Sequence, residues 1–401
     1  MTDQNGAAGR SIWPHDPDAV GVLEGIKVLD LSRIVAGPYC AQMLSDHGAA
    51  VVKVEGPEGD DTRQWGKLSP DGASSGYFYG LNRNKRNIEL DLSTPLGQEV
   101  LGRLADEADV VIENFKVGTM ARWGLDYEQV LAKRNPRLIY VRISGFGSDG
   151  PMGGLPGYDA VLQAYGGLMS VNGYPDRGAL RVGVPIVDIV AANLAFSSVL
   201  LALHERARSG LGQFVDTTLL DSVVSLLLPH SLMWAMDGVP PVRTGEAHPA
   251  VAPYQTFETS AGEFFLCAGN NRQFRALMTV LGRPELIEDP RFVTNEARLA
   301  HIGDLADAIS TALSGQDQDD LARRLNAAGV PASPVKPIPE ALTAAQTLHR
   351  ELFIDDGVYR GVGVPIKLSR SRPRTPRPPV PKGTDTERVL RALGLTATAE
   401  G

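Results

Sequence analysis

The pattern that most narrows what this chain can become is an alternation that begins at Ile26. IKVLDLSR reads as a short, mostly buried strand, PYCAQMLSDHGA has helical periodicity and stops at Gly48, and AVVKVEGP is a second strand. Strand, helix and strand in so short a span form a βαβ unit, whose parallel strands need a right-handed crossover. A long polar, glycine-rich loop follows (EGPEGDDTRQWGKLSPDGASSG), and then the alternation resumes. LNRNKRNIELDL gives a basic turn and a strand, PLGQEVLGRLADEA a helix, DVVIENF a strand, YEQVLAKR a helix and PRLIYVRISGFG a strand. The order predicts a doubly wound α/β domain, whose ligand crevice lies beyond the carboxyl ends of its strands. That would bring residues 32–36, the loop after Val54, Asn114 and residues 144–147 to one place.

The middle of the chain changes character. Residues 157–188 (GYDAVLQAYGGLMSVNGYPDRGALRVGVPIVD) combine three carboxylates, Asp159, Asp176 and Asp188, with many glycines and prolines. Glycine lets a backbone take positive φ or approach a ligand, and proline stiffens the turns between. A carboxylate on such a turn can serve as nucleophile or base, and the same composition builds ordinary surface turns. Asp188 precedes the apolar run IVAANLAFSSVLLALHERARSG and Asp159 the run AVLQAYGGLM, so either could be a helix N-cap. QFVDTTLLDSVVSLLL then reads as a strand running into a helix, and TFETSAGEFFLCAGN as a β-hairpin. NRQFRALMTVLG, ARLAHIGDLADAISTAL, QDDLARRLNAAG and the closing TERVLRALGL read as helices. Leu232, Met233, Trp234 and Met236 form an apolar stripe of the kind that usually belongs to a core.

With 401 residues, two domains are expected. Residues 1–20 read as a loosely ordered tail, 21–224 as the first part of a large domain, 225–330 as a small domain and 331–401 as the return of the large one. The net charge of −8 disfavours nucleic acid or an anionic membrane as the main partner. Two distant cysteines, Cys40 and Cys267, give no disulfide framework and suit a reducing cytoplasm. The first twenty residues lack the apolar core of a signal peptide, and 219–236 is interrupted by Asp221, Pro229 and His230, so a cytoplasmic location is expected. The seven histidines show no paired metal-ligand spacing, and no metal is expected. The turn LSRIVAGP is no dinucleotide fingerprint, and neither a phosphate-binding GxxxxGK[ST] loop nor a GxSxG elbow occurs. The turn 83–86 (Arg-Asn-Lys-Arg) could clamp phosphates or be a solvated basic turn. Arg33 could bind an anion or pair with a nearby carboxylate.

Taken together, these segments resemble the class III CoA-transferases, the group of formyl-CoA:oxalate and carnitine CoA-transferases and, more distantly, α-methylacyl-CoA racemases. The matching pieces run collinearly over about residues 22–395: VLDLSRIVAGPYCAQMLSDHGAAVVKVEGPEGDDTR, LNRNKRNIELDL, VVIENFKVGTMARWGL, NPRLIYVRISGFGSDGP, GYDAVLQAYGGLMSVNGYPD, GVPIVDIVAA, GQFVDTTLLDS, RTGEAHPAVAPYQTF and VPASPV. The resemblance implies a Rossmann-like large domain built from both ends of the chain, a small α+β domain and an interlocked homodimer. It implies coenzyme A, carried as acyl-CoA, as co-substrate and a small carboxylic acid as partner. The family's nucleophilic aspartate falls on Asp176. Its CoA contacts fall on Arg33, Val35 and Ala36, on Lys85 and Arg86, and on Gly145 and Phe146. Formyl-CoA transferases have glutamine where Val35 stands, and a run of four glycines where this chain has Arg-Thr-Gly-Glu-Ala-His-Pro at 243–249. The racemases, the alternative function on this fold, place histidine where Tyr158 stands, which favours transfer.

Overall fold

A computed structural model describes residues 12–13, 21–68 and 74–395, and the chain divides into two compact units. The first takes residues 1–168, 182–228 and 345–401; the second takes 169–181 and 229–344. Sequence reading had set the small domain at 225–330 and left the Asp176 segment with the large one; the structural division groups residues 169–181 with 229–344.

The first unit is built on a six-stranded sheet: β1 (Lys27–Asp30), β2 (Ala50–Glu55), β3 (Arg86–Glu89), β4 (Val110–Glu113), β5 (Ile139–Ser144) and β6 (Phe214–Thr218). The strands are all parallel, in the order β3-β2-β1-β4-β5-β6. This is the doubly wound order expected from the alternation, and its direction reverses between β1 and β4. Such strands are covered on both faces, which is why they read as apolar runs. β2 is buried at every residue. One face packs under α1 (Ala36–Asp46), with Cys40, Ala41 and Leu44 fully buried, and under the long helix α5 (Ile186–Ser209) through Ala191, Ala195 and Val199. The other face receives α3 (Pro95–Glu107), capped by Thr94, and the closing helix α12 (Thr386–Ala392), through Val100, Leu104, Val389 and Leu390. Short helices α2 (Gly76–Leu81), α4 (Asp159–Tyr165) and α6 (Leu219–Ser225) complete the layers. By length and composition α5 could cross a membrane; here Ala191, Ala195 and Val199 lie in the core while Leu201 is exposed.

Of the expected tail only Ile12 and Trp13 are described, and both are buried; the rest lies outside the described residues. The Trp13 indole donates to Glu107 and the Ile12 carbonyl accepts from Arg86, which ties these two residues to the sheet's edge.

The C-terminal return is held by Arg83. Its guanidinium forms a bidentate pair with Asp46 (2.7 Å from Nη2) and also donates to the Tyr359 hydroxyl (3.1 Å) and the Val362 carbonyl. Tyr359 and Val362 flank the small ladder of β10 (Phe353–Asp355) and β11 (Arg360–Val362). The basic turn is therefore neither a solvated patch nor wholly a ligand clamp: its first arginine is a structural pin.

The second unit carries an antiparallel sheet in the order β7-β8-β9, from β7 (Tyr254–Thr259), β8 (Gly262–Cys267) and β9 (Ala332–Pro334). The expected hairpin is present at its expected turn. Behind it lie α8 (Asn271–Val280), α9 (Asn295–Ala300), α10 (Ile302–Leu313) and α11 (Gln318–Ala327). They share a core of Phe257, Phe264, Leu266, Phe274, Leu277, Leu305, Ile309 and Leu325. The run 297–313, read as one helix, breaks at His301 into α9 and α10. Arg298 is fully buried there: it donates to the Ala252 and Phe292 carbonyls and to Asn271, and lies over the Phe274 ring. A further correction concerns α7 (His230–Asp237), which has no buried residue. Leu232, Met233, Trp234 and Met236 are 59%, 42%, 55% and 88% exposed, so this stripe is not core of the chain.

Under the end of β1 lies a buried ionic chain. The Lys85 ammonium contacts Asp30 (2.8 Å), the Pro38 carbonyl (2.8 Å) and Asn82 (2.8 Å). Lys53 donates to the Ser32 carbonyl (2.8 Å) and pairs with Asp60 (3.1 Å). All four charged groups are buried. Removing one partner of such a chain strands the other in low dielectric. Replacing Lys85→Met is expected to lower stability by about 3–5 kcal/mol, measured by urea unfolding against wild type.

Candidate functional site

The loops after β1 and β4 meet where the sheet's order reverses. The Asn114 side chain clamps them by accepting from the Arg33 amide (2.8 Å) and donating to the Arg33 carbonyl (2.7 Å). Ile34 then takes a left-handed conformation, φ 74°, rare for a β-branched residue. The strain is held by Asp60, whose carboxylate accepts from the Ile34 amide (3.2 and 3.3 Å). Burial opposes the charge on Asp60, but Lys53 and the Thr62 donors outweigh it and hold the pKa below the ordinary carboxylate range. This bent loop delivers Val35 and Ala36 to the start of α1, which has no side-chain cap. A helix start without a cap presents amide donors and a positive dipole end, suited to an anion or a developing oxyanion.

A cleft of about 280 Å³ opens there, lined by Ile34, Val35 and Ala36, by 114–117, by Ser144 and Gly145, by Gly157 and Tyr158, and by Asp188 and Leu219. Gly145 is required at its wall because an added Cβ would stand 2.8 Å from the Gly157 amide nitrogen. A second hollow of about 210 Å³ adjoins the far side of the β1 loop, lined by Arg33, 56–60, 90–92, Phe115 and Trp123. Arg33 Nη2 there meets the Gly59 carbonyl and Asp61, both at 3.1 Å, while its buried Nε has no acceptor.

Of the expected CoA contacts, Val35, Ala36 and Gly145 line the first cleft and Arg33 the second. Lys85 does not face either: its ammonium has three donors and all three are engaged inside the fold. Arg86 is partly buried and directed at the Ile12 carbonyl. Phe146 packs against the core and edge-on to Tyr165 rather than lining the cleft. The amides of Gly147 and Gly166 donate to Ser144 Oγ and the Leu162 carbonyl.

Neither Asp159 nor Asp188 caps the helix that follows it, the role their positions suggested. Asp188 lies inside the first turn of α5, which starts two residues earlier, at Ile186. The cap comes from Asp159 on α4, which accepts from the Val187 amide (2.7 Å), the Asp188 amide (3.2 Å) and the Gln163 side chain (2.6 Å). Burial, with the nearby Asp159 charge, pushes the Asp188 carboxyl up to about 7. No local pattern marks this, because the capping carboxylate lies 28 and 29 residues before the amides it accepts from.

Asp176 belongs to the second unit. Its turn is anchored at Gly173, φ 112°, where a side chain would be strained. The Gly173 carbonyl accepts from the Gly245 amide (3.0 Å), the Tyr174 carbonyl from Arg243 Nε (3.2 Å), and Tyr174 packs its ring on Gly245. Segment 243–245 thus braces the turn. Asp176 itself is exposed, with no ion-pair partner among the described residues. Also among the described residues, no cluster of histidine, cysteine, aspartate and glutamate could hold a metal.

A family model for CoA-transferase family III matches residues 23–386. The chain is 41% identical over 388 residues to a succinate–glutarate CoA-transferase of Agrobacterium fabrum, covering 94% of this chain and 97% of that protein. It is 38% identical to an acetyl-CoA:oxalate CoA-transferase of Acetobacter aceti, covering 92% and 95%. The crystal structure of a CAIB/BAIF family protein from Brucella suis superposes with a TM-score of 0.85 at 40% identity, covering 93% of this chain and 99% of that one.

The raised Asp188 carboxyl has a measurable consequence. It keeps a proton in the folded protein that the unfolded chain, with an ordinary value of 3.8, gives up. Its stabilising contribution is complete below about pH 4 and is lost as pH rises toward 7. The stability of Asp188→Asn relative to wild type is therefore expected to improve across that window and level off above it, read from urea titrations at a series of pH values.

Proposed function

Because the chain belongs to CoA-transferase family III and is a CoA-transferase, we propose that it works through a covalent aspartyl intermediate on Asp176. The carboxylate attacks the carbonyl carbon of the donor acyl-CoA, the C–S bond breaks, and an acyl-aspartyl anhydride and a CoA thiolate result. The thiolate then attacks the aspartyl carbonyl, releasing the donor acid and leaving an aspartyl-CoA thioester. The acceptor carboxylate repeats these two steps in reverse. The observation that carries this reading is Asp176 exposed and without an ion-pair partner on a turn that glycine, Tyr174 and Arg243 make rigid. An attacking carboxylate needs that freedom from partners and that fixed geometry.

The unshielded start of α1 in the cleft supports acyl-CoA binding there, because its amides can meet a thioester oxygen as it gains charge. Arg33 suits the phosphates of the nucleotide. The acids named for the relatives, succinate, glutarate and oxalate, are short dicarboxylic acids, and we propose an acceptor of that class. Tyr158 on the cleft wall, where a racemase would need histidine, supports transfer over proton exchange.

Exposed apolar residues support a homodimer, in keeping with the interlocked arrangement that the family resemblance implies. Leu201 on α5 is 70% exposed and Met236 on α7 88%, apolar side chains that an interface between two copies would cover. The protein is expected to sediment at twice the chain mass.

Incubation with acyl-CoA followed by hydroxylamine or borohydride is expected to label one peptide, carrying Asp176. Asp176→Ala is expected to abolish labelling and to lower turnover by at least roughly a thousandfold. Full turnover by the variant, or label on another residue, would sink the mechanism.

A further inference from the structure

The pair Asp159 and Asp188 presents two carboxyl groups in opposite situations. Asp159 has both oxygens occupied by N–H donors, the arrangement of a charged acceptor. In taking the Val187 and Asp188 amides it also occupies the donors at the start of α5 that would otherwise steady a charge on Asp188 itself. Asp188 has no hydrogen bond or ion pair from its own carboxyl among the described residues, and it lines the cleft at the sheet's reversal point. The groups that share its surroundings are Asp159 from α4, a like charge, and Tyr158 and Lys116 on the cleft wall; Lys116 is exposed and forms no ion pair with it. No cation pairs with it among the described residues, and a proton satisfies a half-buried carboxyl set beside a like charge.

We propose that Asp188 faces the cleft as a neutral carboxylic acid and donates its O–H to the acyl carbonyl oxygen of the bound acyl-CoA. The inference rests on the reading of the cleft as the acyl-CoA site. A carboxylic acid is a donor where a carboxylate is only an acceptor, so the same side chain attracts a carbonyl when protonated and repels it when charged. Its upward-shifted acidity places the change of state near neutral pH. Asp188 thus belongs with the ligand-contacting residues, a role that nothing in its position on an apolar helix announces.

The test compares two unreactive ligands on the full-length protein by calorimetry between about pH 6 and 8.5. One is a ketone analogue of acyl-CoA, with methylene in place of sulfur, which keeps the carbonyl and cannot transfer its acyl group. The other is the matching thioether, which lacks the carbonyl. The nucleotide phosphates titrate alike in both ligands, so the ratio of their dissociation constants isolates the carbonyl contact. In wild type the ketone is expected to lose at least roughly tenfold in affinity relative to the thioether as pH rises across that range. In Asp188→Asn, whose amide stays a donor, that relative loss is expected to vanish while tight ketone binding persists. A pH-independent ratio in wild type, or an equal loss in the variant, would overturn the proposal. The wild-type comparison stands alone if the variant does not fold. Failure of both ligands to bind at any pH would instead remove the acyl-CoA reading of the cleft.

Discussion

Asp30, the last residue of the first strand, organises the region around it by holding positive charge in a place without water. It pairs with Lys85 and feels Lys53, and Lys53 passes the link to Asp60. Burial works against the Asp30 charge, and the two ammonium groups outweigh it. Asp60 in turn holds the amide of Ile34 in a conformation that residue would not choose. The strain at Ile34 is therefore supported by ion pairs that lie wholly beneath it, and its effect is to aim the start of α1 into the cleft. Such strain persists only where neighbours over-determine it. Here those neighbours come from the end of β1, from β2 and the loop after it, and from the turn before β3.

Electrostatics of the opposite kind operate across the cleft. Under β1 every charge has an oppositely charged partner; Asp188 has none among the described residues, and the charge that acts on it, Asp159, has its own sign. A single unit thus contains one buried cluster whose charges hold one another and one carboxyl whose charge its surroundings oppose. Both follow from the same rule, that an enclosed group adopts the state its surroundings can satisfy.

The large-scale organisation was legible in the chain because buried parallel strands and their crossover helices leave strong periodic marks. IKVLDLSR, AVVKVEGP and DVVIENF fall on three neighbouring strands, and the hairpin around Ala261 and Gly262 falls where its turn residues place it. Legibility stopped where the deciding partner is remote. Lys85 read as a phosphate ligand because its partners Asp30 and Pro38 are far away in sequence. Asp188 read as a cap because nothing local shows that Asp159 reaches across to the same helix start. The stripe from Leu232 to Met236 read as core because periodicity records which face is apolar and says nothing of what covers it. Asp176 was reached through family resemblance; its own neighbourhood, a glycine–proline turn, is common.

The pin at Arg83 has a consequence for biosynthesis. Its partners Tyr359 and Val362 are made nearly three hundred residues after it, as the separations of 276 and 279 positions show. Residues 229–344, most of the second unit, emerge from the ribosome in that interval. The larger unit has its six sheet strands by residue 218 and waits only for residues 345 onward, while the inserted one completes its strands and helices. Pairings of such long range slow folding and leave apolar surface uncovered in the meantime. A nascent chain truncated before residue 359 would carry the whole second unit while Arg83 still lacked its Tyr359 and Val362 partners.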